Sequence, residues 1–299
     1  MKRSLYFIGL ILTNRVYATD IDPRAYSNIP VGLNFHVTAY SRTTGNVAVA
    51  PTVPIKNAEL GMHNAVLAYS RSLDIFGNSG KVDFILPTAS LYGTAEVQGE
   101  MKDRNINGFA DPMARLYVNF YGAPALSMKD FADYKQDLII GGSLTMIMPA
   151  GQYNVDKLVN LGTNRWAFKP EIGISKAWGD FTAELAAGAY FFTDNNQPFR
   201  GDTLKQEPIF ATQGHLIYNF AKGVWLAFDA NYYIGGESTK DGKVSGETTE
   251  NLRLGGTLSF PIHKQHSLKL FGSSNVYSNT KSGFDTFGIA WQYRWGEGL

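Results

Sequence analysis

The chain of 299 residues contains no cysteine, and only 18% of its residues are charged. The lack of cysteine excludes a disulfide scaffold, a thiolate metal site and a cysteine nucleophile. Long apolar runs are missing too, because residues 5–12 fall far short of the roughly 20 residues that a membrane-spanning helix needs. Glycine (31 residues) and aromatic side chains (13%) are abundant, which favours a sheet protein with many turns.

The amino terminus has the three parts of an export signal. Lys2 and Arg3 precede the apolar residues 5–12, and residues 16–18 form a small-x-small cleavage site. This order predicts a signal peptide over residues 1–18; the alternative is a buried first strand. Without residues 1–18 the chain has 24 basic and 26 acidic residues, a net charge of −2. We therefore expect no nucleic-acid partner.

Beyond residue 30 the sequence repeats segments of roughly ten residues in which apolar and polar side chains alternate. In one segment Leu116, Val118 and Phe120 alternate with Arg115, Tyr117 and Asn119. About twelve such segments lie near residues 31–42, 60–73, 81–94, 113–121, 137–149, 165–177, 180–193, 208–221, 223–236, 251–262, 266–278 and 284–295. A soluble sandwich would alternate in the same way, so alternation alone does not identify a membrane protein.

The lengths of the connections separate the two architectures. Gly179-Asp180 and Lys222-Gly223 are tight turns, whereas residues 194–207 and 237–250 form long polar loops. Long loops on one side and short turns on the other are typical of an outer-membrane barrel. The sequence thus predicts an all-β fold, a single antiparallel transmembrane β-barrel of about 12 strands over residues 31–299, in a bacterial outer membrane.

The sequence also makes predictions for two segments outside the strands. Residues 19–30 precede the first strand and either hang in the periplasm or enter the lumen as a plug. The connection 122–135 is long for the turn side, and residues 128–131 favour a short helix there.

The carboxyl terminus carries a pattern that resembles the terminal-strand signal by which bacterial barrels are inserted. Its polar-x-Gly-x-x-aromatic-x-aromatic spacing is made by Thr286, Gly288, Trp291 and Tyr293. The pattern predicts two partners, the barrel-insertion machinery and the lipid of the outer membrane.

The polar faces of the segments define candidate pore-lining residues, which are Arg115, Lys169, Glu171, Glu184, His215, Asp229, Arg253, Lys269 and Arg294. His36, Gln213 and the aromatic residues Tyr40, Tyr117, Trp225, Tyr233 and Tyr277 are placed on or near the same inner face. One interpretation is a mildly cationic passage; the other is a set of internal ion pairs that fill the barrel. The sequence leaves both open.

Two strands differ in how clearly their faces are assigned. In the first segment, alternation places Val37 and Ala39 on the apolar face. In the second segment, Met62, Val66 and Ala68 compete with Ala65, Leu67 and Tyr69 for the lipid-facing side.

Several runs resemble a family of bacterial outer-membrane proteins described as "putative MetA-pathway of phenol degradation". The runs are RAYSNIPVGLN (24–34), GFADP (108–112), NFYGAPAL (119–126), LVNLGTNRWAFKPE (158–171), QGHLIY (213–218) and WQYRW (291–295). The resemblance implies a barrel and passage of a small, aromatic molecule, and it identifies no functional residue.

The expected function is diffusion of small molecules through a narrow polar lumen, with no cofactor, no metal and no enzymatic step. A rival is a structural or adhesive barrel with a sealed lumen and functional outer loops. Another is a barrel hydrolase with His215 as the base, although no G-x-S-x-G turn accompanies that residue.

Overall fold

The computed structural model describes residues 22–47, 55–97, 100–157, 159–246, 248–280, 283–296 and 298. The predicted signal peptide, residues 1–18, lies outside the described residues. Within these ranges the regular secondary structure is β apart from the 3-10 helix Asp130–Ala132, which falls where a short helix is expected. In the described ranges we find no helix with the length and apolar character to cross a membrane.

The described residues form sixteen strands. They are β1 (Leu33–Val47), β2 (Ile55–Ile75), β3 (Asn78–Val97), β4 (Glu100–Phe109), β5 (Met113–Tyr121), β6 (Leu138–Ile147), β7 (Ala167–Trp178), β8 (Phe181–Phe192), β9 (Leu204–Gln206), β10 (Ile209–Ala221), β11 (Val224–Gly235), β12 (Ser238–Lys240), β13 (Lys243–Gly246), β14 (Thr249–Pro261), β15 (His266–Ser278) and β16 (Gly283–Gly296).

Twelve of the strands form a closed antiparallel barrel, as the alternation predicts. These strands are β1, β2, β3, β5, β6, β7, β8, β10, β11, β14, β15 and β16. The seam is the pairing of β1 with β16, which runs from Leu33 opposite Gly296 to Asn46 opposite Gly283. Closure leaves no free edge around the barrel, the condition that lipid imposes on a spanning sheet.

The two ends of the barrel differ as the connection lengths predict. At one end, called the turn side, β7 and β8 are joined at Gly179 and β10 and β11 at Gly223, which have φ of +55° and +80°. Such left-handed backbone conformations cost glycine little. The other end, called the loop side, carries the long connections 148–166, 193–208 and 236–248.

On the loop side the strands extend further than the alternation predicts. Residues 95–112, expected to be a connection, contain β4, which pairs with Thr88–Val97 of β3. The turn-side part of β3, Gly80–Ile85, pairs with β5 instead. Pro87 lies where β3 changes partner, a position suited to a residue that has no backbone N–H to donate.

The outer face of the barrel is apolar. Large side chains that are exposed there include Leu116, Ile172, Leu185, Leu226, Phe228 and Phe287. Near the turn side the rings of Trp291, Tyr293 and Trp295 stack in a row on β16, with centroids 6.5 and 5.3 Å apart. An apolar band flanked by interfacial aromatic rings is the surface that a barrel presents to a bilayer.

The inner face corrects three assignments made from alternation. Val37 and Ala39 of β1 line the lumen, so His36 and Tyr40 lie on the outside, where Tyr40 is 48% exposed. The reason is that the lumen wall is itself apolar at this level. A register shift between Leu252 and Arg253 in the β14–β15 pairing turns Tyr277 outward as well. In β2 the lumen receives Met62, Val66 and Ala68.

Candidate functional site

A cavity of about 460 Å³ lies inside the barrel on the loop side. Its wall is largely apolar and includes Val37, Val66, Ile85, Met113 and Ile147. At its mouth Tyr153, Leu161 and Phe199, which belong to the long loops, face the same space. The volume lies within the range of small-molecule sites, roughly 300–1,000 Å³.

One carboxylate makes three of the hydrogen bonds that hold the loop between β6 and β7 over the cavity. Asp111 accepts hydrogen bonds from the backbone N–H groups of Gly151 (2.9 Å) and Thr163 (2.7 Å) and from the Thr163 hydroxyl (2.7 Å). We call these three residues the loop clasp. Asp111 belongs to the GFADP run and Thr163 to the LVNLGTNRWAFKPE run, so two of the resembling runs meet here.

The turn-side half of the lumen holds residues 22–30, called the lumen segment. Its carboxyl-terminal end is fixed at two places: the Pro30 carbonyl accepts from the Ser72 hydroxyl of β2 at 2.6 Å, and the Asn28 amide donates to the carbonyl of Pro124, in the connection after β5, at 3.2 Å. Ala25, Tyr26 and Asn28 are buried. The segment therefore occupies part of the lumen.

Two side chains anchor the middle of the lumen segment. The Tyr26 hydroxyl donates to Glu171 of β7 at 2.9 Å, and its ring meets that of Tyr117 edge-on, 5.8 Å between centroids. The backbone N–H of Arg24 donates to Glu184 of β8 at 2.7 Å, and its guanidinium lies 5.0 Å from the centre of the Trp225 ring. Partners on β5, β7, β8 and β11 mean that the segment contacts much of the inner wall.

Glu171 is the centre of one polar group of the wall. Its carboxylate pairs with the Lys169 ammonium at 2.8 Å and accepts from the Gln213 amide at 3.1 and 3.2 Å. Lys169 also lies 5.1 Å from the centre of the Tyr190 ring. Buried charges need such pairing, because taking an unpaired ion out of water is costly.

Asp229 is the centre of a second polar group. It is fully buried, its Oδ1 lies 2.6 Å from Nδ1 of His215, and its Oδ2 accepts from the Thr257 hydroxyl at 2.8 Å. Arg253 is also buried and donates to the Ser273 hydroxyl at 2.8 Å and to the Thr286 hydroxyl at 3.4 Å.

The nine residues predicted to line a pore thus fall into three places. Arg115 and Lys269 line the cavity. Lys169, Glu171, Glu184, His215, Asp229 and Arg253 lie on the inner wall in the contacts given above. Arg294 lies at the turn side, where its guanidinium donates to the Lys264 carbonyl at 2.8 Å.

Sequence reasoning missed other charged residues of the lumen. Lys81 and Asp83 of β3 line the cavity and pair at 3.5 Å, and Asp22 of the lumen segment lies 3.4 Å from Arg115. Lys81 and Asp83 alternate with apolar neighbours, a signal from which they could have been found. The place of Asp22 depends on the path of a segment without periodicity, so no pattern reveals it.

A small second sheet of β9, β12 and β13 stands above the barrel on the loop side. Asp241, in the turn between β12 and β13, accepts from the backbone N–H groups of Thr203 and Asp202, each at 2.8 Å. The hydrogen bond from Thr203, and after it the one from Asp202, lowers the pKa of the Asp241 carboxyl. The sheet thereby ties the β8–β10 loop to the β11–β14 loop.

Metal ligands do not converge in the described part of the chain: no three His, Asp or Glu side chains come together there as a metal site would require.

Comparisons with known proteins agree with this architecture. The model of the family described as "Putative MetA-pathway of phenol degradation" matches residues 31–293. The structure of the COG4313 outer membrane channel from Pseudomonas putida F1 is similar at 17% identity and a TM-score of 0.78, over 92% of this chain and 100% of that one. This likeness shows a shared barrel fold. Among proteins with curated descriptions, none matches the chain.

Two further solved barrels align over most of the chain with lower scores. The KdgM porin has 10% identity and a TM-score of 0.44, over 86% of this chain and 98% of that one. The CymD monoaromatic hydrocarbon channel has 7% identity and a TM-score of 0.39, over 90% of this chain and 89% of that one.

Proposed function

Because the chain belongs to the family described as "Putative MetA-pathway of phenol degradation", we propose that it is an outer-membrane channel. Small molecules, aromatic compounds among them, diffuse through its lumen. The observation that carries this proposal is the cavity of about 460 Å³, which has apolar walls and is lined by Lys81, Arg115 and Lys269. Such a mixture suits a solute with an apolar body and a polar group.

In this proposal the lumen segment is a plug. Its contacts with Glu171, Glu184 and Trp225 fill the turn-side half of the lumen. Passage therefore requires residues 22–30 to move, since the barrel wall itself is a continuous ladder of hydrogen bonds. The buried ion pairs of the wall fix the shape of the lumen around the plug.

We propose transport without covalent chemistry. A serine hydrolase needs a nucleophile within hydrogen-bond reach of its base. His215 is held by Asp229 through Nδ1, and in the described part of the chain its Nε2 has no hydrogen-bond partner. Retention of any ester turnover in His215→Ala would rule out this residue as a base.

The proposal includes the carboxyl-terminal strand as the signal for barrel insertion, through Thr286, Gly288, Trp291 and Tyr293. Support comes from the stacked rings of Trp291 and Tyr293 on the outer face of β16. There they are accessible to another protein before lipid surrounds them.

The test is single-channel conductance of the refolded chain in a planar bilayer. We expect brief openings for the unchanged protein and long openings for Arg24→Ala combined with Tyr26→Ala, because this variant loses the Tyr26 hydrogen bond to Glu171 and the contact of the Arg24 guanidinium with the Trp225 ring. The control is Lys129→Ala with Phe131→Ala, which removes a basic and an aromatic side chain from the turn-side connection 122–137. It should behave like the unchanged protein.

Silence of a correctly folded anchor variant would contradict the channel proposal and favour the rival, a sealed barrel with functional loops. Folding is checked independently by the shift in gel mobility on heating that compact barrels show.

A further inference from the structure

One carboxylate of the lumen segment pairs with Arg115 in a part of the cavity that Lys81 and Lys269 also line. Asp22 Oδ2 lies 3.4 Å from the guanidinium of Arg115 and 3.4 Å from the Tyr117 hydroxyl, which donates to it. The positive charges of Lys81 and Lys269 attract the same carboxylate. Lys81, Arg115 and Lys269 together are called the cation cluster.

The barrel holds the cation cluster in place independently of the lumen segment. The Lys81 ammonium lies 4.4 Å and the Arg115 guanidinium 5.5 Å from the centre of the Tyr117 ring, on the neighbouring strands β3 and β5. The Lys269 ammonium on β15 lies 5.7 Å from the centre of the Trp225 ring. Side chains held over aromatic rings are pre-organised, so they lose little conformational entropy when an anion binds them.

The space next to the cation cluster is apolar. The cavity that the three basic side chains line continues along Val37, Ala39, Val66, Ala68, Ile85 and Met113. A molecule bound here would place an anionic group on the cluster and an apolar body against these side chains. Carboxylates match this geometry, because arginine binds two carboxylate oxygens well.

We propose that the cation cluster is a binding site for the carboxylate of a small solute with an aromatic or aliphatic body. In this proposal, which rests on the proposed channel function, Asp22 occupies the site when solute is absent. The solute carboxylate replaces the Asp22 carboxylate, and the lumen segment then loses its contact with Arg115. A neutral solute of the same shape has no charge with which to compete.

The first test measures binding of benzoate to the full chain in detergent by titration calorimetry. Asp22→Asn removes the competing charge, so benzoate should bind at least about fivefold more tightly than to the unchanged protein. Lys269→Gln should weaken benzoate binding by about as much. The affinity for benzyl alcohol should be the same in all of these proteins. Asp133→Asn, an exposed residue of the turn side, serves as the charge-matched control.

The second test follows the movement of the lumen segment. Since the chain has no cysteine, Ser27→Cys gives one thiol, at a position whose hydroxyl is buried. Its reaction with a soluble maleimide should accelerate severalfold in benzoate and not in benzyl alcohol. In Asp22→Asn with Ser27→Cys the reaction should already be fast without benzoate.

Weaker benzoate binding in Asp22→Asn, or equal acceleration by benzoate and benzyl alcohol, would overturn the proposal. The conductance experiment separates this failure from failure of the channel itself. If the anchor variant conducts and benzoate has no effect on labelling, the results support the channel function and contradict the carboxylate site. If labelling responds to benzoate but not to benzyl alcohol and no variant conducts, the results support the carboxylate site and contradict passage through the lumen.

Discussion

At the scale of single residues, the charges of the lumen differ in how much the fold depends on them. Asp229 holds two partners and is fully buried, whereas Asp22 has one close cation and belongs to a segment outside the barrel wall. The first therefore belongs to the stability of the barrel, and the second is available for exchange with another anion.

Asp229→Ala should lower the free energy of unfolding by about 3 kcal/mol, because His215 and Thr257 lose their common acceptor within the wall. The measurement is urea unfolding of the barrel in lipid vesicles, followed by tryptophan fluorescence. Asp133→Ala, at an exposed position, should change this energy by less than about 0.5 kcal/mol. Equal effects of the two variants would contradict the structural role of Asp229.

At the scale of elements, the strands were predictable from sequence and the path of the lumen segment was not. Each of the twelve barrel strands overlaps one predicted segment, because a lipid-facing side must be apolar and so imposes alternation, although β1, β2 and β3 extend beyond theirs. The same rule fails on β1, where the more apolar side faces the cavity: Val37 lines the cavity and Tyr40 faces the outside. The contacts of Tyr26 and Arg24 join residues over 140 positions apart, a separation that local patterns do not encode.

The loop clasp makes a prediction at this scale. Asp111→Ala removes the acceptor of three hydrogen bonds to Gly151 and Thr163, so the loop between β6 and β7 should become mobile over the cavity. We expect faster cleavage by a soluble protease within residues 149–162, by at least about tenfold, with little change in barrel unfolding. Asp156→Ala, exposed on the same loop, is the control; equal cleavage rates in both variants would exclude the clasp.

At the scale of the whole molecule, two kinds of exposed apolar side chain must be distinguished. Ile172 on β7 and Val244 on β13 are 56% and 59% exposed. The first stands on the barrel wall between Gly142 and Ala187, and the second on the small sheet of the loop side. Exposure alone does not tell lipid from water, but position in the barrel does.

Ile172→Lys should therefore destabilise the protein in vesicles by about 2–4 kcal/mol, the usual cost of lysine in the lipid-facing band. Val244→Lys should change stability by less than about 0.5 kcal/mol. Both are measured by reversible urea unfolding in the same vesicles. A small effect of Ile172→Lys would place β7 outside the bilayer and contradict the orientation of the barrel.

Residues 22–30 join β1 through Val31 and Gly32 alone. Such a short covalent link keeps the Asp22 carboxylate near the cation cluster at an effective concentration on the order of millimolar. A dissolved carboxylate competes with this tethered one only when its own concentration is comparable. In the proposed exchange, the length of the tether, as much as the affinity of the site, sets the solute concentration that displaces the lumen segment. Lengthening the link should therefore lower the benzoate concentration at which the thiol of Ser27→Cys becomes reactive.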